Sequence, residues 1–303
     1  VKKDYGRGEG MNKTTFAGRL GYVLMYAMLA VCGFCTLYPL IQVIAASFSS
    51  SRAISSGEVY LWPVEFTLLN YSILLKDGAI FSALKNTVIV TVVGTLFNIT
   101  ATVLAAYPLS KPRLMGRNWL LMVITFTMLF TGGLIPHFIL IKTLGLMNTY
   151  WALWLPALIS TYNMFVMKTY FEGLPAEIEE SASIDGAGDW TVLTKIILPL
   201  SKPMLAALSL FYAVYWWNSY FHVLIYITSA KKATMMLKLY QMLQGMNDKL
   251  QNLDTAIISV NDIPTPEGLK AAAIFIALLP ILCFYPFLQK HFVKGVLIGS
   301  VKG

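Results

Sequence analysis

Six long windows of this chain contain no Asp, Glu, Lys or Arg: residues 20–51, 86–110, 118–141, 143–167, 203–230 and 271–289. A helix rises about 1.5 Å per residue and a bilayer's hydrocarbon core is about 30 Å thick, so roughly 20 apolar residues cross it. Inside lipid every backbone N–H and C=O must be paired within the protein, which leaves helices and closed barrels. The windows are too long and continuous for barrel strands, and they predict an all-α membrane protein with six transmembrane helices. Composition agrees: 57% of the 303 residues are hydrophobic and 13% are charged, against about 25% charged in soluble domains. Gly132, Gly133 and Pro136 in "FTGGLIPH" interrupt the third window, and Pro280 and Pro286 interrupt the sixth. These breaks fit either kinks lining a path or tolerated bends, and tolerated bends are the reading preferred.

Orientation follows from Lys and Arg in the loops. With the amino terminus cytoplasmic, the inner segments hold the larger share of the 23 basic residues, including Lys2, Lys3, Arg7, Lys13, Arg19, Lys111, Arg113 and Arg117. An even number of crossings then puts both termini inside. The expected layout is a cytoplasmic segment 1–19, a six-helix domain 20–290 with a long inner loop 169–202, and a cytoplasmic tail 291–303. The net charge of +8 is this topology signal and does not argue for nucleic acid. Cys32 and Cys35 form a CxxC inside an apolar helix without His or acidic neighbours, so they and Cys283 read as buried small hydrophobes. The first window is too long for a cleaved signal peptide. "VKKDYGRGEG" is unlike the rest of the chain, and Met11 behind it reads as the natural start.

Two outer segments are long. Residues 47–85 carry Trp62 and Pro63 where an interfacial anchor would sit. In residues 228–270, Met235, Met236, Leu239, Met242 and Leu243 recur at helical spacing, which fits either an adaptable docking face or a helix lying on the membrane.

The inner loop 169–202 is acidic, with Glu172, Glu177, Glu179, Glu180, Asp185 and Asp189 against Lys195 and Lys202. Concentrated negative charge on a positive inner face points to a basic partner. Pro175 suits a first helical turn, and Glu177 and Glu179 complement its dipole. Small residues Ala176, Ser181, Ala182 and Ser183 allow close approach of another backbone, and Gly186 supplies a left-handed stop. Asp189 is expected to cap a second helix with Trp190, Leu193 and Ile197 on its apolar face, ended by Pro199. A short acidic helix across the inner face, fastened by an apolar one, is the expected result.

The stretch "EESASIDGAGDWTVLTKIILPLSKP" resembles the EAA motif of binding-protein-dependent ABC importer permeases. The pattern falls on Glu180, Ser181, Ala182, Gly186, Ile196, Leu198 and Pro199, with Ser181 where the pattern has Ala. "FTLLNY", "LGLMNTYWALWLP" and "KHFVKGVLIGSVKG" resemble carbohydrate permeases of the maltose type, and the tail is most similar to the LplC/YtcP group associated with complex oligosaccharides. The resemblance covers residues 12–303. It implies a type I ABC importer permease fold with a cytoplasmic coupling helix, in a bacterial inner membrane. It implies four kinds of partner: a second permease, two ATPase domains that bind ATP and Mg, an extracytoplasmic solute-binding protein, and an oligosaccharide moved by alternating access. It assigns ATPase coupling to Glu180, Ser181, Ala182, Asp185, Gly186, Ile196, Leu198 and Pro199. Glu180 should pair with a basic group, and Ser181 and Ala182 should pack on the ATPase.

No G-x-x-x-x-G-K-[ST], HExxH or nucleophile–base grouping occurs in the sequence, so this chain is expected to hold no cofactor and to carry out no covalent chemistry. "YAVYWWNSYFHV" offers Tyr215, Trp216, Trp217, Asn218, Tyr220 and His222 as sugar contacts, since aromatic faces cover C–H groups while amides bond hydroxyls. The same residues also suit an aromatic belt or packing, and His222 and His137 read as packing residues. Asn98, Thr100, Thr102 and Asn163 either face the path or join helices. A permease for another solute is the alternative. A secondary transporter is disfavoured, because histidines are the only ionisable groups of the usual coupling kind within the windows.

Overall fold

The computed structural model describes the backbone of residues 16–76, 78–130, 132–252 and 265–300, and the side chains of 21–76, 78–130, 132–244 and 265–283. Residues 1–10, Met11, Lys302 and the side chains of Pro286 and Lys294 therefore lie outside the described residues. All regular structure in the described residues is helical. The first half runs α1 (Phe16–Ser47), α2 (Ser51–Ser55), α3 (Leu69–Lys76), α4 (Ala79–Ser110), α5 (Arg117–Leu129), α6 (Leu134–Thr143) and α7 (Trp151–Trp154). The second runs α8 (Thr161–Glu172), α9 (Ala176–Ile184), α10 (Asp189–Val192), a π turn at Leu193–Ile197, α11 (Leu198–Leu200), α12 (Lys202–Trp217), α13 (Phe221–Tyr226), α14 (Met235–Asn252) and α15 (Pro266–Ser300).

Among the described residues, the six windows do not become six straight spans. Gly21–Ser47, Ala79–Ser110 and Pro266–Cys283 are long and apolar enough to cross a membrane, while α5–α6 and Asp189–α12 are bent pairs meeting at 109° and 80°. The break before α6 is thus a sharp turn, not the mild bend expected, and Gly133 sits there at φ +81°, where glycine is free of the Cβ penalty. The fourth window is split into α7 and α8. Pro156 cannot extend a helix, and Asn98 of α4 donates its amide to the carbonyls of Ala157 and Leu158 in the break. Non-helical backbone at membrane depth survives only with such a partner.

Helix α4 is the centre of the bundle, with α12, α8, α14 and α3 packed around it and α1 lying outside against α15. Gly94 is the point of closest approach: a Cβ there would stand 2.5 Å from Trp216 Nε1. At one end, Val103, Ala106, Tyr107, Met164, Met167, Phe171 and Leu208 form a core that also takes in Ala182, Val192, Leu193 and Ile197. At the other end, Leu74, Ile80 and Ala83 pack with Met235, Ala272, Ala273 and Ala277. This second core corrects the reading of α14: Met235 is fully buried, and Met236, Leu239 and Met242 pack inward, so the methionine face is spent within the chain. The three cysteines also differ from expectation, being exposed on the isolated chain.

Candidate functional site

The acidic helix forms where the sequence placed it. Helix α9 follows Pro175, carries Glu177 and Glu179 in its first turn, and ends in a Schellman turn. Ala187 N–H donates to Ala182 O at 2.9 Å and Gly186 N–H to Ser183 O at 3.1 Å, with Gly186 at φ +80°. That geometry satisfies the last carbonyls and requires a residue tolerant of positive φ. Glu180, Ser181, Asp185 and Gly186 lie on the outward side, and Ile184 stands out at 86% exposure. Ala182 is buried against the core, so it does not offer the outward contact expected of it.

The charge on this loop has a different explanation from the one composition offered. Glu179 pairs with Lys111, Asp189 with Arg113, and Glu172 with both Arg117 and Lys168, the last at 2.8 Å. Lys111 Nζ also sits 4.5 Å above the Tyr107 ring. Half of the expected basic partner is therefore this chain's own 111–117 loop. Among the described residues Glu177, Glu180 and Asp185 have no ion-pair partner. The three braces differ in depth: the Lys111 and Glu179 side chains are 15% and 22% exposed, those of Arg113 and Asp189 66% and 71%. Fully exposed pairs contribute below about 1 kcal/mol, whereas stranding one partner of a buried pair costs several times more.

The mount behind α9 also differs in detail. Asp189 opens α10 without capping it, and its carboxylate goes to Arg113. Val192, Leu193 and Ile197 are buried, while Trp190 is 67% exposed. Pro199 does not end the segment. It lies within α11, just after the π turn, and the break comes at Ser201. Proline has no N–H and its ring clashes with the carbonyl four residues back; a wider π turn relieves that clash. Ile196 and Leu198 are half-buried against the same core. Burial of Val192, Leu193 and Ile197, at roughly 1.5–3 kcal/mol each, fixes the root of α9.

Further along the bundle, α6, α7, α8, α12 and α13 surround a cavity of about 320 Å³ bordered by His137, Ser160, Asn163, Tyr212, Tyr215, Trp216, His222 and Tyr226 among others. Of the residues expected on a sugar path, Asn163, Tyr215, Trp216 and His222 border it. Asn98 does not, because its amide is fully used: it holds the α7–α8 break and accepts from Trp216 Nε1 at 2.6 Å. Trp217 points the other way and donates to Ala277 O of α15 at 3.2 Å. Asn218 donates to Val214 O, and Tyr220 stacks on Tyr240 with centroids 5.2 Å apart. Thr102 shares a hydrogen with the Tyr212 hydroxyl at 2.7 Å, joining α4 to α12, and Thr100 is exposed.

Sequence reasoning missed His137 and Tyr226 as cavity residues. The 109° turn carries His137 to the cavity, and the only signal for it was "GGLIP". The Tyr226 ring contacts both imidazoles, with centroids 6.4 Å from His137 and 6.1 Å from His222. Among the described residues no group of three His, Cys, Asp or Glu side chains is placed to hold a metal ion.

Comparison with known proteins places this geometry. Residues 98–298 match the family described as the binding-protein-dependent transport system inner membrane component. The chain is 43% identical to protein LplC of Bacillus subtilis, covering 95% of this chain and 97% of that one. It is 40% identical to the polygalacturonan/rhamnogalacturonan transport system permease protein YtcP of the same organism, over 93% and 96%. Among solved structures it resembles a bacterial ABC transporter involved in import of the acidic polysaccharide alginate, with TM-score 0.81 and 31% identity over 92% of this chain and 98% of that one.

Proposed function

Since the chain belongs to the binding-protein-dependent transport system inner membrane component family and is a carbohydrate ABC importer permease, we propose that α9 is the element through which separate ATPase subunits drive the passage of an oligosaccharide. The observation that carries this reading is the combination of a rigid mount with an unpaired outward face. Ala182, Val192, Leu193 and Ile197 tie the element to the core, and Ile184, Glu180, Ser181 and Asp185 remain outside. Ile184 supplies apolar area and Glu180 an unspent carboxylate for a basic group on the ATPase; Gly186 makes the turn, and Ile196, Leu198 and Pro199 belong to the mount.

The rest of the assembly follows from the family. A second permease completes the pathway, two ATPase domains bind ATP and Mg on the cytoplasmic side, and an extracytoplasmic binding protein delivers the sugar. The α9 end and both termini then face the cytoplasm of a bacterial cell. ATP shifts the equilibrium between inward- and outward-open forms only through contacts made in one of them, and α9 transmits that difference. The relatives named for polygalacturonan/rhamnogalacturonan and for alginate support a fragment of a sugar polymer as cargo.

The test is Glu180→Lys in the assembled importer. Uptake is expected to fall about tenfold or more, with membrane insertion unchanged and ATP hydrolysis no longer stimulated by loaded binding protein. Full uptake in that variant, or purified complexes lacking an ATPase, would sink the assignment.

A further inference from the structure

The cavity holds a polar cluster that the coupling reading leaves unused. His137, His222 and Tyr226 border both the 320 Å³ cavity and a second cavity of about 490 Å³ that opens beside Gly132 and Gly133. Tyr226 is 2% exposed, and its hydroxyl has no hydrogen-bond partner among the described residues. A buried hydroxyl without a partner costs on the order of 1–3 kcal/mol, and such an orphan is uncommon enough to require a reason. The Tyr226 ring runs nearly parallel to that of His222, at 8° with centroids 6.1 Å apart, so phenol and imidazole stand together at the wall. Among the described residues no Asp, Glu, Lys or Arg borders either cavity.

We propose that His137, His222 and Tyr226 form a transit subsite for the carboxylate of an acidic, uronate-containing oligosaccharide. This deepens the carbohydrate-importer reading and rests on it. Sugar hydroxyls both donate and accept, whereas an ionised carboxylate only accepts and needs donors around it. Here Asn163 is the amide and no carboxylate is present, whereas a phenolic O–H and two imidazoles offer N–H and O–H donors. A carboxylate entering an apolar span is costly unless donors meet it, and hydrogen bonds to an ionised acceptor are about twice as strong as neutral ones. The absence of any carboxylate along the cavity removes the group that would repel such a cargo.

The experiment measures binding to the complete permease–ATPase complex in nanodiscs without the extracytoplasmic binding protein, so that the selectivity read is the membrane complex's own. The probes are a galacturonate trimer and the same trimer with its carboxyls reduced to alcohols. The acid is expected to bind about tenfold tighter or more. His222→Gln and Tyr226→Phe are each expected to remove most of that preference, weakening binding of the acid trimer severalfold more than that of the reduced trimer. Tyr226→Phe deletes one oxygen without changing ring packing, so it separates the hydroxyl from any folding defect. Equal binding of the two trimers, binding of neither at millimolar concentration, or a preference that survives both variants would overturn the subsite. Failure of the carbohydrate reading shows separately, as no uptake of either trimer by the importer supplied with its binding protein and ATP.

Discussion

The two ends of this site are built on opposite rules. Around α9 half of the acids of the loop, Glu172, Glu179 and Asp189, are answered inside the chain by Lys111, Arg113 and Arg117, and the apolar root is buried. Around the cavity the hydroxyl of Tyr226 is left unanswered, and the imidazoles of His137 and His222 stand at the wall. A part that transmits force loses motion if its own attachments are loose, so saturating them is functional. A part that handles a moving cargo must instead keep bonding capacity in reserve. Exceptions sharpen the contrast. Among the described residues Glu177, Glu180 and Asp185 are unspent at the α9 end, and Asn98 is fully spent beside the cavity, because it holds the α7–α8 break.

The largest expected effect tests the saturated end. Glu179→Lys sets two cations together at the half-buried Lys111 site, at a cost of roughly 1.5–3 kcal/mol, or about ten- to hundredfold in the population of seated α9. Sugar transported per ATP hydrolysed should fall accordingly, and the exchange Lys111→Glu with Glu179→Lys should restore most of it. If the exchanged pair performs no better than the single variant, the brace is not what seats the helix. Next comes Gly94→Ala beside the cavity. The new Cβ would meet the Trp216 indole at 2.5 Å, and the indole cannot yield without losing its bond to Asn98. Overpacking of this kind costs about 1–3 kcal/mol; thermal unfolding of the solubilised complex should register it, and an unchanged midpoint would show that the wall is soft. Arg113→Ala removes the most exposed brace and should cost below about 1 kcal/mol, with coupling nearly intact. Equal losses for Arg113→Ala and Glu179→Lys would erase the distinction by burial.

How much of this was legible in the sequence follows the range of the interactions. Helix α9 and its stop depend on Pro175, two acids and Gly186, all within one short stretch, and the motif spacing named the family. Features set by distant partners were not legible. Nothing local says that Glu179 meets a lysine 68 residues away, and the acid count alone implied an external partner. Trp216 and Trp217 are neighbours about 100° apart on a helix, and only packing shows that the first borders the cavity while the second faces α15. Pro199 was read as a terminator because the π turn that accommodates it has no clear sequence signature. His137 was dismissed because the glycines before it gave no hint of how sharply the chain turns.

The smallest expected effect uses an ion pair far from both regions, as a control for burial. Glu65 accepts from the Arg52 guanidinium and from Ser50, and these bonds hold its carboxyl below the usual range while raising Arg52. Both side chains are about half exposed. For a carboxyl whose folded value is depressed, the stabilisation is fully present above the ordinary value near 4.3 and is lost as pH falls through the lowered one. Amide exchange in α2, corrected for its intrinsic pH dependence, should therefore be flat at neutral pH and accelerate only in acid, by less than about fivefold. Glu65→Gln should abolish the acid-side change. Loosening of α2 already near neutrality would mean that another group controls it, and that solvent exposure is the wrong measure for ranking the ion pairs of this chain.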